Sequence, residues 1–217
     1  MRGPDCAPRS AHCAPYDSPV PIPHPERTAL LLIDIQKEYF LEGRPLFVPD
    51  GAKVLDTLVP AVTLWHQRGW PVVHIYHEAP ADSPLFAKGS FAQQPHKALP
   101  RREGDLVITK ALPGAFSGTG LEAALRAKGV SGVIVCGFMT QLCCDTTARE
   151  ADARGFTVWF PRDATSCPNL KDRGFGSLSA AQVKAQVLTV IQNFATVAPL
   201  AELLPAAPEF PETRKLE

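Results

Sequence analysis

Cys143 occupies a position in the sequence where a reactive thiol is expected. It follows the apolar run from Val133 to Val135, which predicts a buried strand, and it lies near the start of a helical pattern that ends at Gly155. Backbone N–H groups and the helix dipole in the first turn of such a helix favour a thiolate. The same N–H groups can hold a developing oxyanion. The position of Cys143 therefore predicts a cysteine nucleophile.

Two further reactive side chains come at the ends of predicted strands. Asp34 closes the first strand and Lys110 closes the third. Because ligands of a parallel sheet bind at the carboxyl ends of its strands, Asp34, Lys110 and Cys143 are expected in one crevice. There the carboxylate can take the thiol proton, the lysine can stabilise the resulting anions, and the thiolate can attack a carbonyl. Taken singly, each residue also has an ordinary interpretation: a turn-capping aspartate, a solvated lysine and a small buried cysteine.

Short apolar runs alternate along the chain with helical patterns. The runs are continuous rather than strictly alternating, which is typical of strands buried on both faces of a parallel sheet. The predicted strands are Thr28–Ile33, Val72–Tyr76, Leu106–Thr109, Val133–Cys136, Thr157–Phe160 and Phe194–Val197. The predicted helices are Gly51–Arg68, Gly120–Lys128, Gln141–Arg154 and Ser179–Asn193. This order predicts an α/β fold, a doubly wound (Rossmann-like), mainly parallel six-stranded sheet with helices on both faces.

Composition narrows the class of protein. The 217 residues suffice to bury one α/β core, and the formal net charge is zero. No basic stripe suggests a nucleic-acid partner, and no apolar segment reaches the roughly 20 residues that span a membrane. Since no secretory h-region is apparent, we expect a cytoplasmic protein with reduced cysteines. Residues 1–25 are predicted to form a proline-rich N-terminal arm, 26–204 one domain and 205–217 a C-terminal tail.

Four ordered motifs give the chain its resemblance to a known family. They are Thr28–Gln36 around the first aspartate, Ile108-Thr109-Lys110, Ala115-Phe116 with Gly118-Thr119, and Gly137-x-x-Thr140-x-x-Cys143 leading into Thr147-Ala148-Arg149. With these motifs the chain resembles the isochorismatase-like cysteine hydrolases from about Pro25 to Leu204. The resemblance implies an isochorismatase-like hydrolase domain over residues 26–204, assembled as a homodimer or a higher homo-oligomer.

The resemblance also implies roles for particular residues. It implies a catalytic triad of Asp34, Lys110 and Cys143. It implies a non-proline cis peptide bond between Phe138 and Met139. The backbone N–H groups of Met139 and Cys143 would then form the oxyanion hole.

The chain departs from the metal-dependent members of that family, the nicotinamidases. Their pattern contains an Asp-x-His pair and an Asp-Trp-His segment, and neither occurs in the corresponding regions, Phe47–Ala52 and His74–Glu78. We therefore expect no metal and no cofactor. His77 could line a pocket, but an ordinary hydrogen bond at the strand end is the favoured interpretation.

Position 143 separates two chemistries within the family. True isochorismatases cleave a vinyl ether without a thiol, and their pattern has glycine there and cysteine one residue later; this chain has both Cys143 and Cys144. Retention of Cys143 predicts a cysteine amidohydrolase that cleaves the C–N bond of an amide or carbamoyl compound through a thioester. The alternative is a vinyl-ether hydrolase that uses Asp34 without a covalent intermediate.

A small-molecule substrate is the expected partner. The residues predicted to contact the substrate lie close to the triad residues in the sequence and include an apolar wall. They are Gln36, Phe40, Phe116, Phe138 and Leu142. Core packing at the sheet edge is the alternative interpretation. A dinucleotide-binding protein and a serine hydrolase are not indicated, because neither G-x-G-x-x-G nor G-x-S-x-G occurs.

Overall fold

The computed structural model describes residues 21–99 and 101–204 of the chain. Most of the predicted N-terminal arm and all of the predicted C-terminal tail lie outside these residues, so both boundaries stay predictions. No helix in the described part of the chain is long and apolar enough to cross a membrane.

In the described part of the chain, six parallel strands form one sheet. They are β1 (Thr28–Ile33), β2 (Val72–His77), β3 (Leu106–Lys110), β4 (Gly132–Phe138), β5 (Thr157–Trp159) and β6 (Thr165–Ser166). The order across the sheet is β3-β2-β1-β4-β5, and the short β6 pairs with the end of β4. The predicted doubly wound sheet is thereby confirmed. Its winding reverses between β1 and β4, which is where such folds open a crevice for ligands.

Helices cover both faces of the sheet. They are α1 (Gly51–Arg68), α2 (Leu121–Ala127), α3 (Asp145–Ala153), α4 (Ala180–Ile191) and α5 (Leu200–Leu203). Side chains of β1 alternate between two buried layers. Leu30 and Leu32 pack with Trp65 on the α1 side, whereas Leu31 and Ile33 pack on the side of α2 and α3. Because both faces of β1 are buried, its sequence is a continuous apolar run.

The sixth strand is not where the sequence predicted it, so that prediction was wrong. The segment Phe194–Val197 contributes only an isolated bridge between Thr196 and Trp159. The sixth strand is instead Thr165–Ser166, beside the end of β4. Phe194 still belongs to the turn that follows α4, because its N–H donates to the Ile191 carbonyl oxygen at 3.1 Å. Within this segment only Thr196 pairs with a strand.

The predicted helix Gln141–Arg154 begins differently from a regular α-helix. Residues Thr140–Cys144 form a π-helical turn, and the regular α3 begins at Asp145. Turns of this kind are rare and often occur at functional sites. A periodicity of apolar residues does not separate a π turn from the first turn of an α-helix, so the sequence predicted a single helix.

Candidate active site

Gly137 brings the end of β4 against the end of β1. Its φ is 118°, and a Cβ atom at this position would collide with the carbonyl oxygen of Ile33. Only glycine satisfies both the backbone angle and the close approach. One residue further along the chain, the peptide bond between Phe138 and Met139 is cis. The chain then enters the turn that carries Cys143.

The carbonyl oxygen of Met139 holds this nucleophile turn, residues Thr140–Cys144. The N–H groups of Leu142 and Cys144 both donate to that oxygen, each at 3.1 Å. Cys143 lies within the turn with 5% of its surface exposed. The nucleophile predicted from the sequence is therefore on a fixed segment at the carboxyl end of β4.

The structure brings Asp34, Lys110 and Cys143 together. Lys110 Nζ lies 2.9 Å from Asp34 Oδ2, and both side chains are fully buried. The Cys143 thiol lies close enough to both groups to influence the pKa of each. Asp34 has a left-handed φ of 51°, and its N–H donates to the Ile75 carbonyl oxygen at 2.8 Å, which fixes its backbone at the end of β1. An ion pair and a thiol thus share one buried crevice.

The Lys110 ammonium has two acceptors besides the carboxylate. It donates to the Leu112 carbonyl oxygen at 3.2 Å and lies 3.3 Å from Nδ1 of His77. From the sequence, we expect His77 to make an ordinary hydrogen bond at a strand end. That interpretation does not identify Lys110 as its partner. The contact depends on the register of β2 on β3, which places His77 opposite Lys110. Nothing in the linear sequence indicates that register.

Burial is the largest single influence on the pKa of each of the three groups, but at Lys110 the other influences together outweigh it. It raises the pKa of Asp34 above the ordinary value, although the charge of Lys110 opposes this shift. Burial also acts to lower the pKa of Lys110, but Asp34 and Cys143 outweigh it, so that pKa is raised and the ammonium stays charged. Burial, and then the charge of Asp34, raise the pKa of Cys143 to about 12 against the opposing effect of Lys110.

The resting Cys143 thiol is therefore protonated, which corrects the expectation that its position favours a thiolate. The sulfur is buried, so the cost of dehydrating a thiolate outweighs the attraction of nearby N–H groups. Within residues 21–99 and 101–204, no hydrogen bond of good angular geometry reaches either oxygen of Asp34, despite the short contact with Lys110. Oδ2 faces the ammonium, so Oδ1 is the oxygen left for the thiol proton, and this geometry suits deprotonation during attack rather than before it.

Helix α3 holds the loop that follows Lys110. The N–H of Ala115 donates to Thr147 Oγ1 at 3.1 Å, and the N–H of Phe116 donates to Glu150 Oε2 at 2.9 Å. Two of the sequence motifs, one after β3 and one in α3, are therefore partners in space. Their contacts tie the lysine and the nucleophile turn to the same scaffold.

Gln36 is buried, and its side-chain amide is engaged with the backbone. Its Oε1 accepts from the N–H of His77 at 2.8 Å, and its Nε2 donates to the carbonyl oxygens of His77 at 2.9 Å and Gln93 at 2.6 Å. The side chain therefore braces the end of β1 against the end of β2. These hydrogen bonds are all to the protein backbone, and the substrate contact predicted for Gln36 stays a prediction.

Phe138 and Phe40 form an aromatic cluster beside the nucleophile turn. Phe138 is fully buried, stacks on Tyr39 with ring centroids 5.1 Å apart, and meets Phe40 edge-on at 5.4 Å. Phe40 is half-buried, so part of its ring is available to a ligand. The substrate contacts predicted for Phe138 and Phe40 stay predictions.

Phe116 and Leu142 differ sharply in exposure. The ring of Phe116 packs against Phe156, with centroids 5.7 Å apart, in the layer of α2 and α3. Leu142, next to the nucleophile in the sequence, is 42% exposed. Phe116 is therefore surrounded as a core residue is, which was the alternative interpretation of its sequence position. Leu142, in contrast, has exposed surface that a substrate could contact.

No group of three or more His, Cys, Asp and Glu side chains within residues 21–99 and 101–204 is arranged to hold a metal ion. The expectation that the protein uses neither a metal nor a cofactor stays a prediction. The same is true of the homodimer or higher homo-oligomer that the family resemblance implies.

A comparison of the chain with known protein families identifies the family to which this fold and crevice belong. A model of the isochorismatase domain matches residues 28–192. The chain belongs to the isochorismatase family, and it is a hydrolase of that family. The resemblance found in the sequence is confirmed over most of the predicted domain.

Individual relatives show the range of that family. The secreted isochorismatase effector Isc1 of Verticillium dahliae is 32% identical over 78% of this chain and 86% of its own length. Nicotinamidase 3 of Arabidopsis thaliana is 29% identical over 68% of this chain and 77% of its own length. The crystal structure of a cysteine hydrolase from Pseudomonas syringae pv. phaseolicola 1448A has a TM-score of 0.80 and 28% identity, over 85% of this chain and 93% of that one. Since one relative is named as secreted, the cytoplasmic location stays a prediction.

Proposed function

We propose that this hydrolase cleaves the C–N bond of a small amide or carbamoyl compound through a thioester on Cys143. The observation that carries the proposal is the contact of the Cys143 thiol with the buried Asp34–Lys110 ion pair. A carboxylate, an ammonium and a thiol in one dry crevice supply a base, a cation and a nucleophile for acyl transfer. Two compared proteins named as a cysteine hydrolase and a nicotinamidase support the same chemistry.

The first half of the reaction forms the thioester. Asp34 takes the thiol proton as the sulfur of Cys143 attacks the carbonyl carbon, and the electron pair of the C=O bond moves to the oxygen. The N–H groups of Met139 and Cys143 would hold that oxyanion. The tetrahedral intermediate then collapses, the C–N bond breaks, and ammonia or an amine leaves with the proton from Asp34.

The second half of the reaction releases the acid. Asp34, again a carboxylate, takes a proton from water as the water oxygen attacks the thioester carbonyl. The C–S bond breaks, and the thiolate of Cys143 recovers the proton from Asp34. The raised pKa of Asp34 suits it to this exchange, because a stronger base binds the proton more readily in each half. Lys110 stays charged throughout and stabilises the thiolate.

The substrate is expected to be small and partly apolar. The reactive sulfur is almost entirely buried, so a substrate must bring its carbonyl into a narrow crevice. Phe40 and Leu142 have surface left beside that crevice and are the contacts that we favour. Phe138 would support this wall from behind.

A second candidate is the hydrolysis of a vinyl ether, as in the isochorismatases. The raised pKa of Asp34 favours it, because a carboxyl group that holds its proton more strongly can act as an acid. In this reaction Asp34 would protonate the vinyl carbon, and water would add to the resulting oxocarbenium ion and return a proton to Asp34. The C–O bond of the hemiketal would then break to release a ketone and an alcohol. Cys143 would then take no part in catalysis.

The experiment measures ammonia release from a panel of small amides, ureas and carbamoyl compounds, with isochorismate consumption as a separate assay. Cys143→Ala is compared with the wild type, and Cys167→Ala, which removes another buried thiol, is the matched control. Ammonia released by the wild type and Cys167→Ala, but not by Cys143→Ala, would support the proposal. Isochorismate consumed equally by all three proteins, with no ammonia from any amide, would favour the vinyl-ether reaction instead.

A further inference from the structure

His77 ends β2 directly beside the lysine of the crevice. It pairs with Lys110 in the register of the sheet, and its Nδ1 lies 3.3 Å from the ammonium nitrogen. The side-chain amide of Gln36 holds both the N–H and the carbonyl oxygen of His77. Its ring meets Phe86 edge-on, with centroids 5.0 Å apart. The imidazole therefore has a defined position, with Nδ1 turned toward the lysine.

Three acceptors surround the ammonium nitrogen of Lys110. They are Asp34 Oδ2 at 2.9 Å, the Leu112 carbonyl oxygen at 3.2 Å and His77 Nδ1 at 3.3 Å. An ammonium has only three N–H donors, so each of these acceptors, together with the nearby Cys143 sulfur, helps to fix the position of the nitrogen. Because Lys110 is only 2% exposed, an N–H that lost its acceptor would be left unpaired in the interior, which is costly.

We propose that His77 is a positioning residue, whose neutral imidazole holds the Lys110 ammonium beside Asp34 and Cys143 through Nδ1. The inference rests on the proposed function, in which this ammonium stabilises the thiolate. A neutral imidazole accepts a hydrogen bond at one nitrogen and carries its hydrogen on the other. The contact with an ammonium therefore assigns the hydrogen of His77 to Nε2.

The surroundings of His77 keep it neutral. Burial, and then the charge of Lys110, lower its pKa to about 4. The charged group that faces the imidazole is Lys110 on β3, whereas Asp34 on β1 lies near the backbone of His77 and the neighbouring Glu78 is paired with Lys88 at 2.9 Å. The acceptor nitrogen is therefore available throughout the neutral pH range.

The effect of His77 on the nucleophile is indirect. The charge of Lys110 opposes the upward shift of the Cys143 pKa. A lysine is a point charge on a flexible four-carbon stem, so an ammonium that lost one acceptor would move toward water. Cys143 would then lose part of the stabilisation of its thiolate. His77 thus controls the reactivity of the sulfur through the position of Lys110.

The test measures alkylation of Cys143 by iodoacetamide as a function of pH, with mass spectrometry of the peptide that contains it. His77→Leu removes the acceptor, His77→Asn keeps an acceptor oxygen near the position of Nδ1, and His77→Gln places the same amide one bond farther out. We expect the rate near neutral pH to fall about tenfold in His77→Leu and His77→Gln, and to return to within about twofold of the wild type in His77→Asn.

Two results would overturn the inference: wild-type alkylation in a folded His77→Leu, or an equal loss in His77→Asn and His77→Gln. Thermal unfolding shows which variants are folded, and if His77→Leu is not, the comparison of His77→Asn with His77→Gln decides. Failure of the proposed function is distinguishable, because it appears in Cys143→Ala. Full ammonia release by Cys143→Ala refutes both proposals, whereas an inactive Cys143→Ala with an unaltered His77→Leu refutes the inference alone.

Discussion

Lys110 Nζ lies 2.9 Å from Oδ2 of Asp34, and neither side chain has any exposed surface. A buried ion pair is costly to form and is weak evidence of a contribution to stability. The reaction that we propose gives the pair a catalytic role. The ammonium favours the ionised form of Asp34, whereas burial raises the pKa of the same carboxyl group. In the reaction that we propose, Asp34 would therefore both accept and return the proton of Cys143.

Replacing Asp34 by asparagine should destabilise the protein as well as inactivate it. The substitution leaves Lys110 buried without a charged partner, and breaking a buried pair in this way costs about 3–5 kcal/mol of the free energy of unfolding. Urea denaturation near neutral pH measures the loss. The control is Asp50→Asn, which removes the partner of Lys53 from an exposed pair at 2.7 Å and should leave the midpoint unchanged. A loss in Asp34→Asn below about 1 kcal/mol would argue against a charged Lys110 in the crevice.

Stability should fall in alkali because of Cys143. An unfolded cysteine titrates near 9.0, whereas burial and then the charge of Asp34 raise the pKa of the folded Cys143 to about 12. Between these values the unfolded state binds fewer protons than the folded state, so the free energy of unfolding decreases as the pH rises. Cys143→Ala lacks this contribution, and its stability should decline less steeply than that of the wild type.

Urea denaturation of both proteins at several pH values above 9 checks this alkaline effect. Other buried thiols that Cys143 does not influence, such as Cys136 and Cys167, contribute equally to both proteins and cancel in the comparison. Parallel stability curves for the wild type and Cys143→Ala would show that the folded thiol ionises at its ordinary pKa.

Gly137→Ala should be far more damaging than Gly129→Ala. Both glycines have a positive φ, 118° and 69°, but only at Gly137 would the added Cβ collide with the carbonyl oxygen of Ile33. Gly129→Ala should cost about 1 kcal/mol of the free energy of unfolding, from backbone strain alone. Gly137→Ala should cost several times as much or prevent folding. Similar losses in urea denaturation would show that the end of β4 can move away from β1.

Features with strong local signals were predictable from the sequence. Helix α1 begins and ends as predicted, at Gly51–Arg68, because Gly69 has a left-handed φ of 65° and ends it. The strand β1 was predictable because burial on both faces requires a continuous apolar run. The meeting of Asp34 and Lys110 followed from topology, since both come at the carboxyl ends of parallel strands.

Features that depend on contacts between distant residues were not predictable. The position of His77 beside Lys110 depends on the register between two strands that are separated by a long connection. The amide of Gln36 is engaged because the backbone of His77 lies within its reach. The protonated resting state of Cys143 depends on the depth of its burial, which its place in the sequence does not show.

The proposed reaction depends on a covalent thioester at Cys143. The most direct measurement mixes the wild type with an amide that it hydrolyses, stops the reaction in acid during the first turnovers, and weighs the peptide that contains Cys143. A covalent reaction gives a mass increase on Cys143 equal to the acyl group of that amide less one hydrogen, and neither adduct nor ammonia release with Cys143→Ala. Hydrolysis of the same amide by Cys143→Ala at the wild-type rate, with no adduct on the wild type, would contradict it.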